Sequence, residues 1–463
     1  MRAGFGKYNI TPRVGVELYG FGPFRNRASI GVRDILEARA GAFEAGGHTV
    51  VIITCDLCTL QDRTVAEIRS LIREKHPELN DADIMVNASH THSGPATLFK
   101  NTGWGVTDLP WFMALPHKIA ESAFRALDAM EEVTLAHALV PCRHIGLNRV
   151  YDKDAPPLED VLKDDWEPAK PELTDTECRV IRFDSVKTGK LTGFMAYFGC
   201  HPVVCSARSH YIHGDFPGIA IHNLMREFPG SVGMFLQGAE GNVNSGCVHK
   251  GEQESLLALD VFAARFANSI RNGLEKARPM EVRSIRSVSK VFPFTSRSFY
   301  NYEMLETIRK EQEEILLRAD SDDSKDHVRK AAVYLRGIED IKKILDSGKT
   351  DRMAELQIIR MGDLQFMGTP FEVMQAIKND VHAASSAPCP MLMSLTNGAF
   401  SYAPDNHTLK EQDDNIHALH TNMYGYYETI VTPLVGGHLP YADIHNEIVR
   451  YMSELEKILG ETK

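Results

Sequence analysis

No apolar run in this chain approaches the roughly 18 residues that a bilayer span requires. The longest, such as Val50-Val51-Ile52-Ile53, are strand-sized. The opening residues, Met1-Arg2-Ala3-Gly4-Phe5-Gly6, carry no apolar leader core, which sets the expectation of a cytoplasmic protein without an integral membrane segment. Positive charge is in deficit: 51 Lys and Arg stand against 62 Asp and Glu, a net charge of −11. Nucleic acids and anionic membrane surfaces both call for clustered cations, so neither is an expected partner. Eight cysteines in 463 residues are too sparse for a disulfide framework and read as buried, reduced thiols. Cys55-x-x-Cys58 has no second pair at zinc-finger spacing; two core cysteines flanking Asp56 is the better reading. No Ser/Gly linker divides the chain, so one domain over 1–463 is expected.

What is present is a pattern that occurs three times. Residues 36–43 and 49–54 read as strands joined by Ala45-Gly46-Gly47; a helix follows over 62–75 and a strand over 83–88. The second occurrence has strands 178–184 and 191–198, a helix 217–227 and a strand 231–236. The third has strands 356–361 and 364–367, a helix 372–384 and a strand 391–395. Recurring hairpin–helix–strand units predict an α/β fold of stacked mixed β-sheets flanked by helices. Residues 301–348 read as an inserted helical hairpin broken at 319–325, and 444–459 as an amphipathic helix with Ile448, Met452, Leu455 and Leu459 on one face. Residues 151–177 read as an exposed acidic loop.

Chemistry-bearing residues cluster after strand ends, where open α/β sheets place ligands. His90-Thr91-His92 is the sharpest signal: on a strand, i and i+2 face one way, and imidazole is a common zinc ligand. A pair of satisfied loop histidines is the plain alternative. His201-Pro202 follows an apolar strand and alone reads as structural. Glu372 opens the third helix, where capping and the helix dipole would explain an acid. Tyr402 alone reads as core. Their shared placement at comparable ends of the three units makes His, His and Glu a plausible zinc set with a position open for water.

At this point the chain resembles the neutral, non-lysosomal ceramidases. The matching motifs, in order, are Asn9-Ile-Thr-Pro12, Ser89-His-Thr-His-Ser-Gly-Pro95, Gly146-Leu-Asn-Arg149, His201-Pro202, Pro370-Phe-Glu372 and Asn397-Gly-x-x-x-Tyr402. The resemblance covers about residues 1–440 and implies one Zn2+ held by His90, His201, Glu372 and Tyr402. It further implies that His92, Arg149 and a tyrosine preceding a glutamate, best matched by Tyr427, act at the site, and that an N-acyl amide of a small-molecule or lipid-like substrate is hydrolysed. The expectation is a catalytic domain without the family's C-terminal β domain, and Gly241-Asn242-Val-Asn244-Ser-Gly246 departs from the family's substrate-reading stretch at both asparagines. The resemblance therefore carries the metal set and leaves the substrate open. An ester or lactone hydrolase on the same site, or a binding protein that keeps the fold without catalysis, are the alternatives.

Several residues have two readings each. Ser209, His210, His213 and Asp215 form a pocket rim or a plain histidine-bearing loop. Asp56 orients a ligand histidine or caps the next helix. Glu240 lines the site in a polar way. Arg25 and Arg27 bind an anionic substrate group or are surface charges.

Overall fold

The computed structural model describes residues 1–22, 27–99, 105–152, 156–322, 324–414 and 426–461. The large sheet takes its strands in the order Val232–Gln237, Leu191–Phe198, Glu177–Ser185, Glu131–Pro141, Arg2–Asn9, Glu37–Ala45, His48–Cys55 and Ile84–Ala88, with Arg278–Met280 added beside Glu131–Pro141. The small sheet runs Ile285–Phe294, Arg352–Met361, Leu364–Gly368, Cys389–Met393. Helices cover both outer faces, as the three-fold pattern predicts for stacked mixed sheets.

The strand His48–Cys55 shows why. Val50 and Ile52 enter the core shared by the two sheets, while Val51, Ile53 and Cys55 pack under the helices Asp62–Lys75 and Leu109–Asp128. A strand buried on both faces is apolar at every position, which is what an unbroken Val-Val-Ile-Ile run encodes. The inter-sheet core joins Phe43, Phe183 and Met234 of the large sheet to Ile359, Phe366 and Met391 of the small one.

All three units fold as read. In each, the last strand runs parallel to the second hairpin strand: Ile84–Ala88 beside His48–Cys55, Val232–Gln237 beside Leu191–Phe198, and Cys389–Met393 beside Leu364–Gly368. Two units flank the middle of the large sheet and the third builds the small one. Boundaries move by a residue or two in several elements, and one shift bears on the site. The third helix is Gln375–Ala384, and Glu372–Val373 instead pairs in parallel with Tyr402–Ala403. Glu372 is therefore not a helix-capping acid.

The segment 151–177 is more embedded than its acidity suggests. Leu158 and Val161 of a short helix, Leu158–Val161, enter the core, and buried Asp175 accepts from the Gly199 amide and Lys378. The inserted hairpin comprises helices Tyr302–Leu316 and Asp326–Ser347, which bury Leu305, Tyr334 and Ile338 against Ile430 and Leu434. Gly337 makes this contact close: a Cβ there would stand 1.8 Å from the Leu434 carbonyl oxygen. The helix Ile444–Glu461 buries Ile448, Met452, Leu455 and Leu459 against the small sheet. No helix among the described residues is long and apolar enough to cross a membrane.

Candidate metal centre

Three strand ends meet at one buried side chain. Asn87, at the end of Ile84–Ala88, accepts from the Gln237 amide (3.0 Å) and donates to the Ser394 carbonyl (2.7 Å) and the Thr396 hydroxyl (3.1 Å). Gln237 in turn donates through Nε2 to the Cys200 carbonyl at 2.9 Å. One asparagine thus fixes the ends of all three units, and with them the loops bearing His90, His201 and Glu372.

His90 and His92 lie beyond the strand, not on it, and His90 has a left-handed φ of 68°. They converge by a tight turn rather than by strand alternation: the two Nε2 atoms are 3.2 Å apart. His90 Nδ1 donates to the Cys58 carbonyl (2.9 Å) and His201 Nδ1 to the Glu240 carbonyl (2.6 Å). With Nδ1 so engaged, each ring in its neutral form carries its lone pair at Nε2, the arrangement that orients histidine toward a metal. Glu372 Oε2 stands 3.5 Å from His90 Nε2 and 3.4 Å from His201 Nε2. Donor atoms held about 2.0–2.2 Å from a tetrahedral zinc ion are about 3.3–3.6 Å apart, and the carboxylate oxygen stands at that spacing from both imidazoles. The residues present fit the metal.

The electrostatics agree. Burial opposes charge on Glu372, yet His90 and His201 hold its carboxyl well below the usual range. Burial also opposes charge on His90, but Cys58 and Glu372 raise its pKa well above the ordinary value. Burial, then the neighbouring His90, bring the pKa of His92 well below the ordinary value, and burial brings His201 down to about 4. This cluster retains a positive charge beside the carboxylate, in the place where a dication would sit.

Tyr402 is held next to Glu372 by strand register, and its ring lies near those of His201 (6.4 Å) and Tyr427 (6.0 Å). Tyr427 begins the π-helical turn Tyr427–Val431 and lines the pocket. Burial and the Glu372 charge keep both phenols protonated. The Arg149 guanidinium lies 5.1 Å over the Tyr402 ring and pairs with Glu428 at 2.8 Å.

The pocket above the metal set holds about 240 Å3, with Tyr19, Cys58, His90, His92, Glu372, Tyr402 and Tyr427 near its floor. Tyr19 and Gly20 escaped the sequence reading, which took their segment only as a loop. Gly20, at φ 124°, lies so close that an added Cβ would meet His92 at 2.4 Å. Gly20-Phe21 was the available signal: only glycine fits that backbone, and Phe21 packs edge-on to His92 at 4.8 Å.

Other expectations are corrected. Arg27 is neither a surface charge nor an anion ligand. It is buried, and donates to the His92 carbonyl (2.9 Å) and the Ser209 carbonyl (3.1 Å). Arg25 lies outside the described residues. Asp56 neither orients His90 nor caps the helix; it accepts from Arg39 (2.9 Å) and the Glu37 amide (3.0 Å) in a buried network with His222. Ser209, His213 and Asp215 do not form the pocket rim. They are buried behind the His-Thr-His turn, where His213 bonds through its backbone to Ser93 and Thr91. Cys205, His213 and Asp215 cluster, but the carboxylate already accepts from three backbone amides. Asn242 and Asn244 do not line the pocket; they brace Gln375 and Arg149. Glu240 serves through its carbonyl, while burial pushes its carboxyl up to about 8. All eight cysteines are unbridged and buried.

Comparison with known proteins places this architecture. The family model for the N-terminal part of neutral/alkaline non-lysosomal ceramidases matches residues 1–246, which include His90, Arg149 and His201. Neutral ceramidase A of Dictyostelium discoideum is 26% identical over 259 residues, 52% of this chain and 35% of that protein. Neutral ceramidase of Pseudomonas aeruginosa is 25% identical over 260 residues, 52% of this chain and 37% of that one. The matched stretch thus spans little more than a third of these curated relatives. The crystal structure of the Pseudomonas aeruginosa neutral ceramidase superposes with a TM-score of 0.71 at 18% identity, covering 99% of this chain and 75% of that one. A ceramidase complexed with C2 gives 0.69 at 17% identity, with the same coverage. The fold match extends across Glu372, Tyr402 and Tyr427, which lie beyond the family model's stretch. The ordered motifs, the stacked sheets and the match over more than half its length together make the chain a member of the neutral/alkaline non-lysosomal ceramidase family.

Proposed function

We propose that this protein is a zinc-dependent hydrolase of N-acyl amides, with His90, His201, Glu372 and Tyr402 as metal ligands. One observation carries the reading: two imidazole Nε2 atoms and a carboxylate oxygen, from three separate units, converge in one buried cluster, of which His90 and Glu372 line a pocket. The named relatives are ceramidases, which supports an amide as the scissile bond.

A Zn2+ held there supplies Lewis acidity, activating water and polarising an acyl carbonyl. The chain's own groups do the rest. His92, neutral and turned toward the metal set, is placed to carry a proton to the departing amine. The Tyr427 and Tyr19 phenols, kept protonated by burial, can donate to an oxygen that gains negative charge. Arg149 acts through Tyr402, as a positioning residue that keeps the phenol at the cluster. Ligand pockets for drug-sized molecules run about 300–1,000 Å3. A cavity of about 240 Å3 therefore takes the amide and its immediate substituents, and any long chain must leave by the mouth.

The test is elemental analysis of the native chain and of His201→Ala, with fatty-acid release from N-acyl amides and matched esters. About one zinc per chain, lost together with amide hydrolysis in the variant, is the expected result. Absence of bound metal after reconstitution with zinc would overturn the reading. Faster ester cleavage would move the assignment to an esterase on the same site.

A further inference from the structure

The pocket lining includes a second group of residues, different in kind from the metal set. To this group the inserted hairpin contributes Arg336 and Asp340, joined by Arg352, Gly436 and His438. Arg352 lies 4.2 Å over the Phe400 ring and has no carboxylate at ion-pair distance among the described residues. Asp340 is already engaged, with Lys343 at 2.7 Å on one oxygen and Arg336 at 3.4 Å on the other. Lys343, at the shorter distance, meets the Asp340 charge, which leaves Arg336 and Arg352 as the excess cations of this lining.

His438 adds a directional group. It is 7% exposed, and its Nδ1 donates to the Leu439 carbonyl at 2.8 Å. The ring must then carry its lone pair at Nε2, and that buried atom has no hydrogen-bond partner among the described residues. A buried acceptor without a partner is destabilising, so its persistence in the lining of a cavity points to a ligand donor. Burial, followed by Arg352, brings its pKa down to about 3, so it stays an acceptor across the physiological range.

We propose that this part of the pocket is a subsite for the polar half of the substrate, reading an anionic group with Arg352 and Arg336 and a neighbouring donor with His438. The inference rests on the amide-hydrolase reading and narrows it: the preferred substrate class is an N-acyl amine whose amine half bears an anionic group, such as an N-acyl amino acid. The packing of Gly337 on Leu434 holds the hairpin close enough to supply this wall. The hairpin is then a specificity element, not only a covering for the 426–439 segment.

The experiment compares N-dodecanoylglycine with N-dodecanoylglycinamide, which differ in one negative charge. Charge-assisted hydrogen bonds contribute about 1.5–3 kcal/mol, or roughly 10- to 150-fold. The native enzyme is expected to favour the acid in kcat/KM by at least 10-fold, and Arg352→Gln to collapse that ratio toward one. Arg336→Gln provides a second variant if Arg352→Gln fails to fold, as judged by its melting temperature. Cleavage of both compounds by the native enzyme without preference for the acid would overturn the subsite and leave the hydrolase reading standing. A preference that survives both substitutions would do the same. Cleavage of neither compound would count against the amide-hydrolase reading; calorimetric titration of both into the native protein then decides the subsite alone. Tighter binding of the acid, weakened in Arg352→Gln, supports it, and equal or undetectable binding of the pair overturns it.

Discussion

Replacing Asn87 by leucine tests whether one buried side chain couples the fold to the candidate metal centre. The two side chains share one branched skeleton, so the change removes the hydrogen bonds while keeping the shape, with two methyl groups adding bulk. The Gln237 amide is left buried without its acceptor, which costs about 1–3 kcal/mol. The bonds to the Ser394 carbonyl and the Thr396 hydroxyl are also lost, each with a net contribution of about 0.5–1.5 kcal/mol. Part of that loss is recovered, because the Ser394 carbonyl still accepts from the Thr396 hydroxyl at 3.0 Å. A total near 3 kcal/mol follows. Unfolding entropy of about 2.1 cal/mol/K per residue gives a chain of this length about 1 kcal/mol/K, so the melting temperature should fall by about 3 °C. The more telling change is in metal affinity. Because Asn87 ties Gln237, and Gln237 ties Cys200 beside His201, loosening it should weaken zinc binding by about 10- to 100-fold, as loss of an outer-shell partner does. Scanning calorimetry and competition with a chromogenic chelator measure both. A variant that melts within 1 °C of the native protein and binds zinc equally well would refute the coupling.

Gly20→Ala should lower hydrolytic activity at least 10-fold while zinc content stays near one per chain, because the added methyl meets His92 and not the proposed ligands; loss of metal in this variant would contradict that separation, and kinetics paired with elemental analysis distinguish the two. Glu37 is buried, which by itself would raise its pKa, but the hydrogen bond from His222, the charge of Arg39 and the hydrogen bond from Lys7 depress it strongly. A depressed carboxyl stabilises the fold above its unfolded pKa of about 4.3 and loses that contribution as pH falls toward the folded value. The stability gap between the native chain and Glu37→Gln should therefore narrow below about pH 4 in urea titrations, whereas a pH-independent gap would argue against the ion-pair assignment. Thiol titration of the native protein should proceed slowly at all eight cysteines and reach eight rapidly in denaturant; fewer than eight would mean bridges that the structure does not contain.

Much of the architecture was legible because its signals are local. The hairpin turns, the apolar run 50–53 and the helix 62–75 each follow from neighbours a few residues apart, and each appears where read. The histidine turn was legible as a site but not as a shape, since His90 takes a left-handed backbone that strand alternation does not foresee. Glu372 had a sufficient local explanation as a helix cap, and only its pairing with Tyr402 removed it. Arg27 and Asp56 were misread for one reason: a buried ion pair or carbonyl clamp depends on partners far along the chain, Ser209 for the first and Arg39 for the second.

By itself the sequence determined the three units, the order of the motifs and the residue types capable of holding a divalent ion, because backbone periodicity and ligand chemistry are written in short stretches. Only the tertiary structure decided that His90, His201 and Glu372 come together, since that depends on Asn87 joining strand ends separated by 150 to 309 positions. It also decided that Tyr19 stands on the floor, that Arg149 stands behind Tyr402, and that the inserted hairpin supplies part of the pocket lining. Each of these is a contact between distant segments, set by packing of two sheets and their helices rather than by any local preference of the chain.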